Sequence, residues 1–310
     1  MSRISTILTL SLFVILLASC KPQDMTPAYI SITPEDFEDC IDVSNFNETH
    51  NQNFDAEQLE ALTNHEFTHV NVYVNNKNLG CWELPCKVPV LDIDNTDSCS
   101  LVLIPGFKMS GMGNTIAGYP FFNILRQRVL LQKGETYNVS QNRPKYVYSE
   151  YAQIPFFETF TNSTSFVPTD TVSHTLTFQP ITYDGKNVGE IVLNSANGYS
   201  FDVESPKILA PVGSYRVLVE IRYRTESSID VGMKMSTGYN PYQVHSVGGF
   251  YASPDEWKTI HFDLSSTING YHSAAGNLTE ITLSLSGVGD EGKDTHFYID
   301  DIKVIYIKTA

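Results

Sequence analysis

Three hydrophobic patterns divide the chain. The first is an apolar run, Ile4 to Leu17, interrupted only by Ser and Thr and preceded by one positive charge, Arg3. It falls short of the roughly 20 residues a spanning helix needs. A small-residue stretch follows it, which is the order of a cleaved secretory signal over residues 1–19. The second pattern consists of short alternating runs. Thr68 to Val74 places Val70, Val72 and Val74 on one face, Asn75-Asn76-Lys77-Asn78 is a turn cluster, and Leu79 to Leu84 returns, so a β-hairpin is predicted. Lys87 to Asp92, Cys99 to Ile104, Gln127 to Leu131 and Thr136 to Val139 read as further strands. Only Phe54 to Leu62 has helical spacing.

The third pattern starts after Pro155 and is richer in β signals. Its predicted strands are Ser173 to Phe178, Val188 to Leu193, Tyr199 to Val203, Ser214 to Arg224, Ile229 to Met235, Thr259 to Leu264, Leu278 to Leu285 and Thr295 to Ile307. In Ser214 to Arg224 the residues Tyr215, Val217, Val219 and Ile221 alternate with Arg216, Leu218, Glu220 and Arg222. The expected class is all-β. A β-sandwich spans residues 31–152 and a jelly-roll β-sandwich spans 153–310. Residues 20–30, with two prolines, read as a tether ahead of them.

Composition narrows the partners. The net charge of −15 disfavours nucleic acid and anionic membrane surfaces. Charged residues are 18% and aromatics 12%, which suits an extracytoplasmic β protein with aromatic strands and Gly/Asn turns. Outside the cytoplasm Cys40, Cys81, Cys86 and Cys99 are candidates for disulfides, with all three connectivities open. The spacing of Cys81, Cys86 and Cys99 contains no CxxC pair and makes a zinc reading weaker.

Leu17-Ala18-Ser19-Cys20 resembles the lipobox of bacterial lipoproteins, which implies cleavage before Cys20 and acylation of that residue. More than one acyl chain is needed for stable anchoring in a lipid bilayer. Phe297-Tyr298-Ile299-Asp300-Asp301-Ile302-Lys303-Val304 resembles the closing strand of galactose-binding-like jelly rolls, the fold of many carbohydrate-binding modules. Val72 to Asn75, Leu79 to Pro85, Val88 to Leu91, Ile104-Pro105-Gly106 and Tyr119 to Phe122 are similar to uncharacterised two-domain lipoproteins of Bacteroidota. That resemblance implies an Ig-like first sandwich and an outer-membrane location, on the periplasmic or cell-surface face.

The jelly-roll resemblance also implies a candidate structural calcium between first and last strands, with Glu158, Asp300 and Asp301 as oxygen donors. Sugar binding needs flat aromatic surface and a few fixed polar groups. Trp257, Tyr239, Tyr242, Tyr251 and Arg222 are the candidates for it. His65-Glu66-Phe67-Thr68-His69 matches H-E-x-x-H to the letter. It runs straight into an alternating strand, where helical spacing cannot persist, so protease chemistry is not expected. No nucleophile elbow, Walker A or dinucleotide loop is present. The expected function is non-catalytic binding of an extracytoplasmic ligand, a glycan first. The alternative is an assembly lipoprotein that contacts outer-membrane protein partners and has no small ligand.

Overall fold

The structure, a computed structural model, describes residues 25–93, 96–171, 175–209, 216–236, 243–269 and 280–308. Cys20, Tyr239 and Tyr242 lie outside the described residues. The chain is nearly all β. Its first part contains β1 (Ala28–Ile32), α1 (Glu35–Glu38), α2 (Phe46–His50), α3 (Ala56–Ala61), β2 (His69–Val74), β3 (Lys77–Glu83), β4 (Cys86–Val90), β5 (Ser98–Lys108), β6 (Ile116–Gly118), β7 (Gln127–Leu130) and β8 (Thr136–Asn138). One sheet has the order β4-β1-β8, and the other β3-β2-β5-β6 with β7 also on β5. Alternation does the work: Ala28, Ile30 and Ile32 of β1 enter one core with Val70, Val72 and Val74 of β2. The predicted helix forms as α3 because Asp55 and Gln58 make a reciprocal capping box at its start.

The second part contains β9 (Ala152–Glu158), β10 (Val167–Pro168), β11 (Gln179–Tyr183), β12 (Lys186–Leu193), β13 (Ser200–Glu204), β14 (Ile208–Leu209), β15 (Val217–Thr225), β16 (Ile229–Ser236), β17 (Gln243–Phe250), β18 (Lys258–Asp263), β19 (Glu280–Val288) and β20 (Thr295–Ile307). Two six-stranded sheets face each other: β10-β13-β19-β16-β17 with β14 on β19, and β11-β12-β20-β15-β18 with β9 on β20. Their common core holds Val217, Val219 and Ile221 from β15 and Phe297, Ile299, Ile302 and Val304 from β20.

The opposite face of β15 positions everything that follows. Leu218 and Ile305 point away from the jelly-roll core and join the core of the first sandwich. That sandwich therefore sits on the outer face of the β11-β12-β20-β15-β18 sheet. Ser110 N donates to His261 O at 2.7 Å across the same seam. Further along β15, Arg222 and Arg224 are only part-buried, so this end of the sheet face is open.

A bulge interrupts the seam. Glu220 pairs with Lys303 but Arg222 pairs with Asp300, so Ile221 opposes two residues of β20. Asp301 takes the left-handed conformation there, with φ 45°.

Three expectations need correction. Ala28 to Ile30 belong to β1, where all three pair with β4 and Tyr29 and Ile30 also pair with β8, and are not tether. Residues 175–178 are not a strand. Phe178 instead packs its ring against Phe160, Phe166 and Phe201, and Thr177 Oγ1 donates to Phe166 O, so the strand starts at Gln179. β17 was not foreseen, because an edge strand with Gly248 and Gly249 carries little apolar alternation.

Candidate functional site

The open end of the sheet face carries a row of aromatic and cationic side chains. Tyr183 of β11 stacks on Tyr298 of β20, with centroids 4.4 Å apart and planes at 24°. His296 lies 5.7 Å beyond Tyr298 and nearly parallel to it. Trp257 enters β18 and meets Tyr183 edge-on at 6.4 Å. The Arg222 guanidinium lies 4.9 Å from the Trp257 ring centroid, and that of Arg224 lies 5.3 Å from Tyr183. Arg224 and Tyr298 share this face as direct cross-strand partners, and Tyr183, at the end of β11, reaches Tyr298 across β12.

Polar anchors hold the row. Arg222 Nη1 bonds Asp300 Oδ2 at 2.8 Å. Arg224 Nε donates to Pro254 O at 2.7 Å. His296 Nδ1 lies 2.9 Å from Glu190 Oε1, and Tyr298 Oη lies 3.2 Å from the same nitrogen. Burial, then the charge of Glu190, pushes the Tyr298 phenol up to about 12. Beside Trp257 and Arg222 the face dips into a cleft of about 300 Å³ against the first sandwich, walled there by Glu38, Asp39 and Glu66.

Of the sequence candidates, Trp257 and Arg222 are brought together. Tyr251 is 89% exposed at the exit of β17 and takes no part in the row. Arg224, which lies on the same predicted strand as Arg222, joins Trp257 and Arg222; Tyr183, Tyr298 and His296 are site residues the sequence pattern does not single out. His296 and Tyr298 alternate with core residues in a strand that had been recognised, so their shared face was legible. That this face stays open was not.

The calcium candidates do not converge. Glu158 already accepts from Phe160 N, Ser165 N and Ser165 Oγ. The bulge turns Asp300 toward Arg222 and Asp301 toward Asn64 Nδ2. Burial, then the charge of Asp301, pushes the Asp300 carboxyl up to about 8 against the pull of Arg222. The expected disulfides are absent, since Cys40, Cys81, Cys86 and Cys99 are all free thiols. Cys40 and Cys99 are committed to the first core, whereas Cys81 is exposed on β3. Burial pushes the Cys86 thiol up to about 11.

The H-E-x-x-H match is taken apart by the fold. His69 joins β2, and Glu66 accepts from Thr259 N. His65 turns into the seam and lies fully buried beside Glu220 of β15 and His261 of β18, with Tyr119, Tyr148 and Lys303 around them. Burial resists ionisation of Glu220, yet Lys303 and His65 hold it well below the usual carboxylate range. Burial pushes His261 down to about 4.

No protein-family model and no curated protein sequence matches the chain. Solved structures do. One holds the CBM22-1 and GH10 modules of a xylanase from Clostridium thermocellum complexed with xylohexaose, at 14% identity over 50% of this chain, with a TM-score of 0.37. The match spans only 29% of that chain. The CBM22-2 xylan-binding domain from Paenibacillus barcinonensis matches at 10% identity over 49% of this chain and 99% of its own, with a TM-score of 0.35. The K3 adhesin domain of Lys-gingipain from Porphyromonas gingivalis matches at 10% identity over 50% of this chain and 98% of its own, with a TM-score of 0.34. Likeness at this level says nothing about what this chain binds.

Proposed function

We propose that this chain is a lipoprotein, anchored at the outer membrane through an acylated Cys20, that binds a glycan without chemical turnover. The observation that carries this reading is the row Tyr298, Tyr183 and Trp257 on the open half of a sheet face, with Arg222 and Arg224 over the rings. Sugars offer flat C–H surfaces to aromatic faces and hydroxyl groups to fixed donors and acceptors. Arg222, Arg224, Glu190 and His296 are such groups, already oriented by their own hydrogen bonds. Preorganisation of this kind lowers the ordering cost of binding. In this reading the first sandwich, an Ig-like spacer, also walls one end of the groove.

The test is a glycan array probed with the full chain and with Trp257→Ala and Tyr183→Ala. Binding that each substitution weakens by about tenfold supports the proposal. A flat array, with an outer-membrane protein that co-purifies stably, would favour the assembly alternative.

A further inference from the structure

The seam cluster is not used by the glycan face. His65 is 0% exposed, Glu220 0% and His261 1%. Their candidate ligand atoms all lie within 4.8 Å of one another, and among the described residues no other three His, Cys, Asp or Glu side chains do so. Glu220 Oε1 and His261 Nε2 are buried there without a close hydrogen-bond partner, and the Tyr119 hydroxyl lies beside Glu220. Leaving such groups unsatisfied costs about 1–3 kcal/mol each. Glu220 Oε1 and His261 Nε2 can each give an electron pair to an ion placed between them.

The surroundings supply the orientation a metal ligand requires. His65 Nε2 lies 2.9 Å from Leu62 O, the carbonyl contact that commonly fixes a ligating imidazole. Nδ1 faces Glu220 Oε2 at 2.9 Å, a contact that a proton bridges as a hydrogen bond and that a metal ion bridges once that proton is displaced. Lys303 Nζ reaches Oε2 at 3.2 Å and Ala61 O, but leaves Oε1 unpartnered.

We propose that His65, Glu220 and His261 bind a divalent transition-metal ion, zinc by ligand chemistry, with Tyr119 as a fourth donor. Two imidazoles and one carboxylate suit zinc, whereas calcium and magnesium prefer oxygen alone. A tetrahedral zinc sets its ligand atoms about 3.3–3.6 Å apart, so the trio closes by no more than about 1.5 Å. His65 comes from the first sandwich and the other two ligands from the second, so the ion would be captured as the two close. The ion competes with the Lys303 ammonium for the single negative charge of Glu220.

The experiment uses the full chain in detergent, loaded with zinc chloride, desalted, and assayed for zinc by mass spectrometry and for its unfolding midpoint. About one zinc per chain is expected, with at least a tenfold loss of retention in His261→Asn and a retained circular dichroism spectrum. Lys303→Met is expected to gain more in midpoint from zinc than the wild type. Failure of the folded wild type to retain zinc overturns the proposal, and so does undiminished retention in folded His261→Asn. If His261→Asn does not fold, cobalt in the wild type decides. Tetrahedral d–d absorption without a thiolate charge-transfer band supports the site, and a thiolate band or no d–d absorption overturns it.

Discussion

Lys303 Nζ lies 3.2 Å from Glu220 Oε2, and both side chains are sealed from solvent where the two sandwiches meet. A lone charge at this depth would be very unfavourable, and the pair is tolerated because each neutralises the other. Lys303→Met in the presence of chelator is expected to destabilise the chain by about 3–5 kcal/mol, since it strands an ionised Glu220. Adding Glu220→Gln should return most of that loss. Urea denaturation of both singles and the double gives the coupling directly, and additive effects would refute it.

The aromatic row should be separable from the fold. Trp257→Ala removes a part-buried ring at the mouth of the cleft. Loss of one stacking ring is expected to weaken glycan binding by about tenfold, the equivalent of about 1.4 kcal/mol. Titration calorimetry with an array-identified oligosaccharide measures it. Tyr251→Ala, at a ring 89% exposed and outside the row, should leave affinity unchanged.

Asp300 makes stability depend on pH from the alkaline side. Its carboxyl is raised from 3.8 to about 8 in the folded chain. A raised carboxyl favours the folded state fully below the unfolded value, and that contribution is lost as pH rises through the folded one. The loss should therefore run from about pH 4 to about pH 8. Asp300→Asn keeps an acceptor for Arg222 and cannot ionise, so its thermal midpoint should fall less over this window than that of the wild type. Parallel midpoint curves for the two proteins would refute the assignment.

The proposed anchoring rests on one residue, Cys20. Cys20→Ser is expected to abolish incorporation of labelled palmitate and to move the protein from the detergent phase to the aqueous phase on Triton X-114 partition. Unchanged labelling would place the acyl groups elsewhere.

Alternation alone determined much of this protein. Val70, Val72 and Val74, or Val217, Val219 and Ile221, can bury one face only as strands, so the all-β class and most strands follow from local pattern. Local pattern also placed His296 with Tyr298 and Arg222 with Arg224. What it could not carry was the contact between residues far apart in the chain. The docking of one sandwich on the other's sheet decided that Glu220 is sealed and Arg222 stays open, although they sit two positions apart on one strand. The bulge opposite Ile221 decided that Asp300 faces Arg222, because one extra residue breaks the alternation on which the reading relied. His65 and Glu66 show the same division. Their motif is spelled out in the chain, but its last member opens β2 while His65 and Glu66 lie in the loop before it, and only packing across the seam gave His65 its partners.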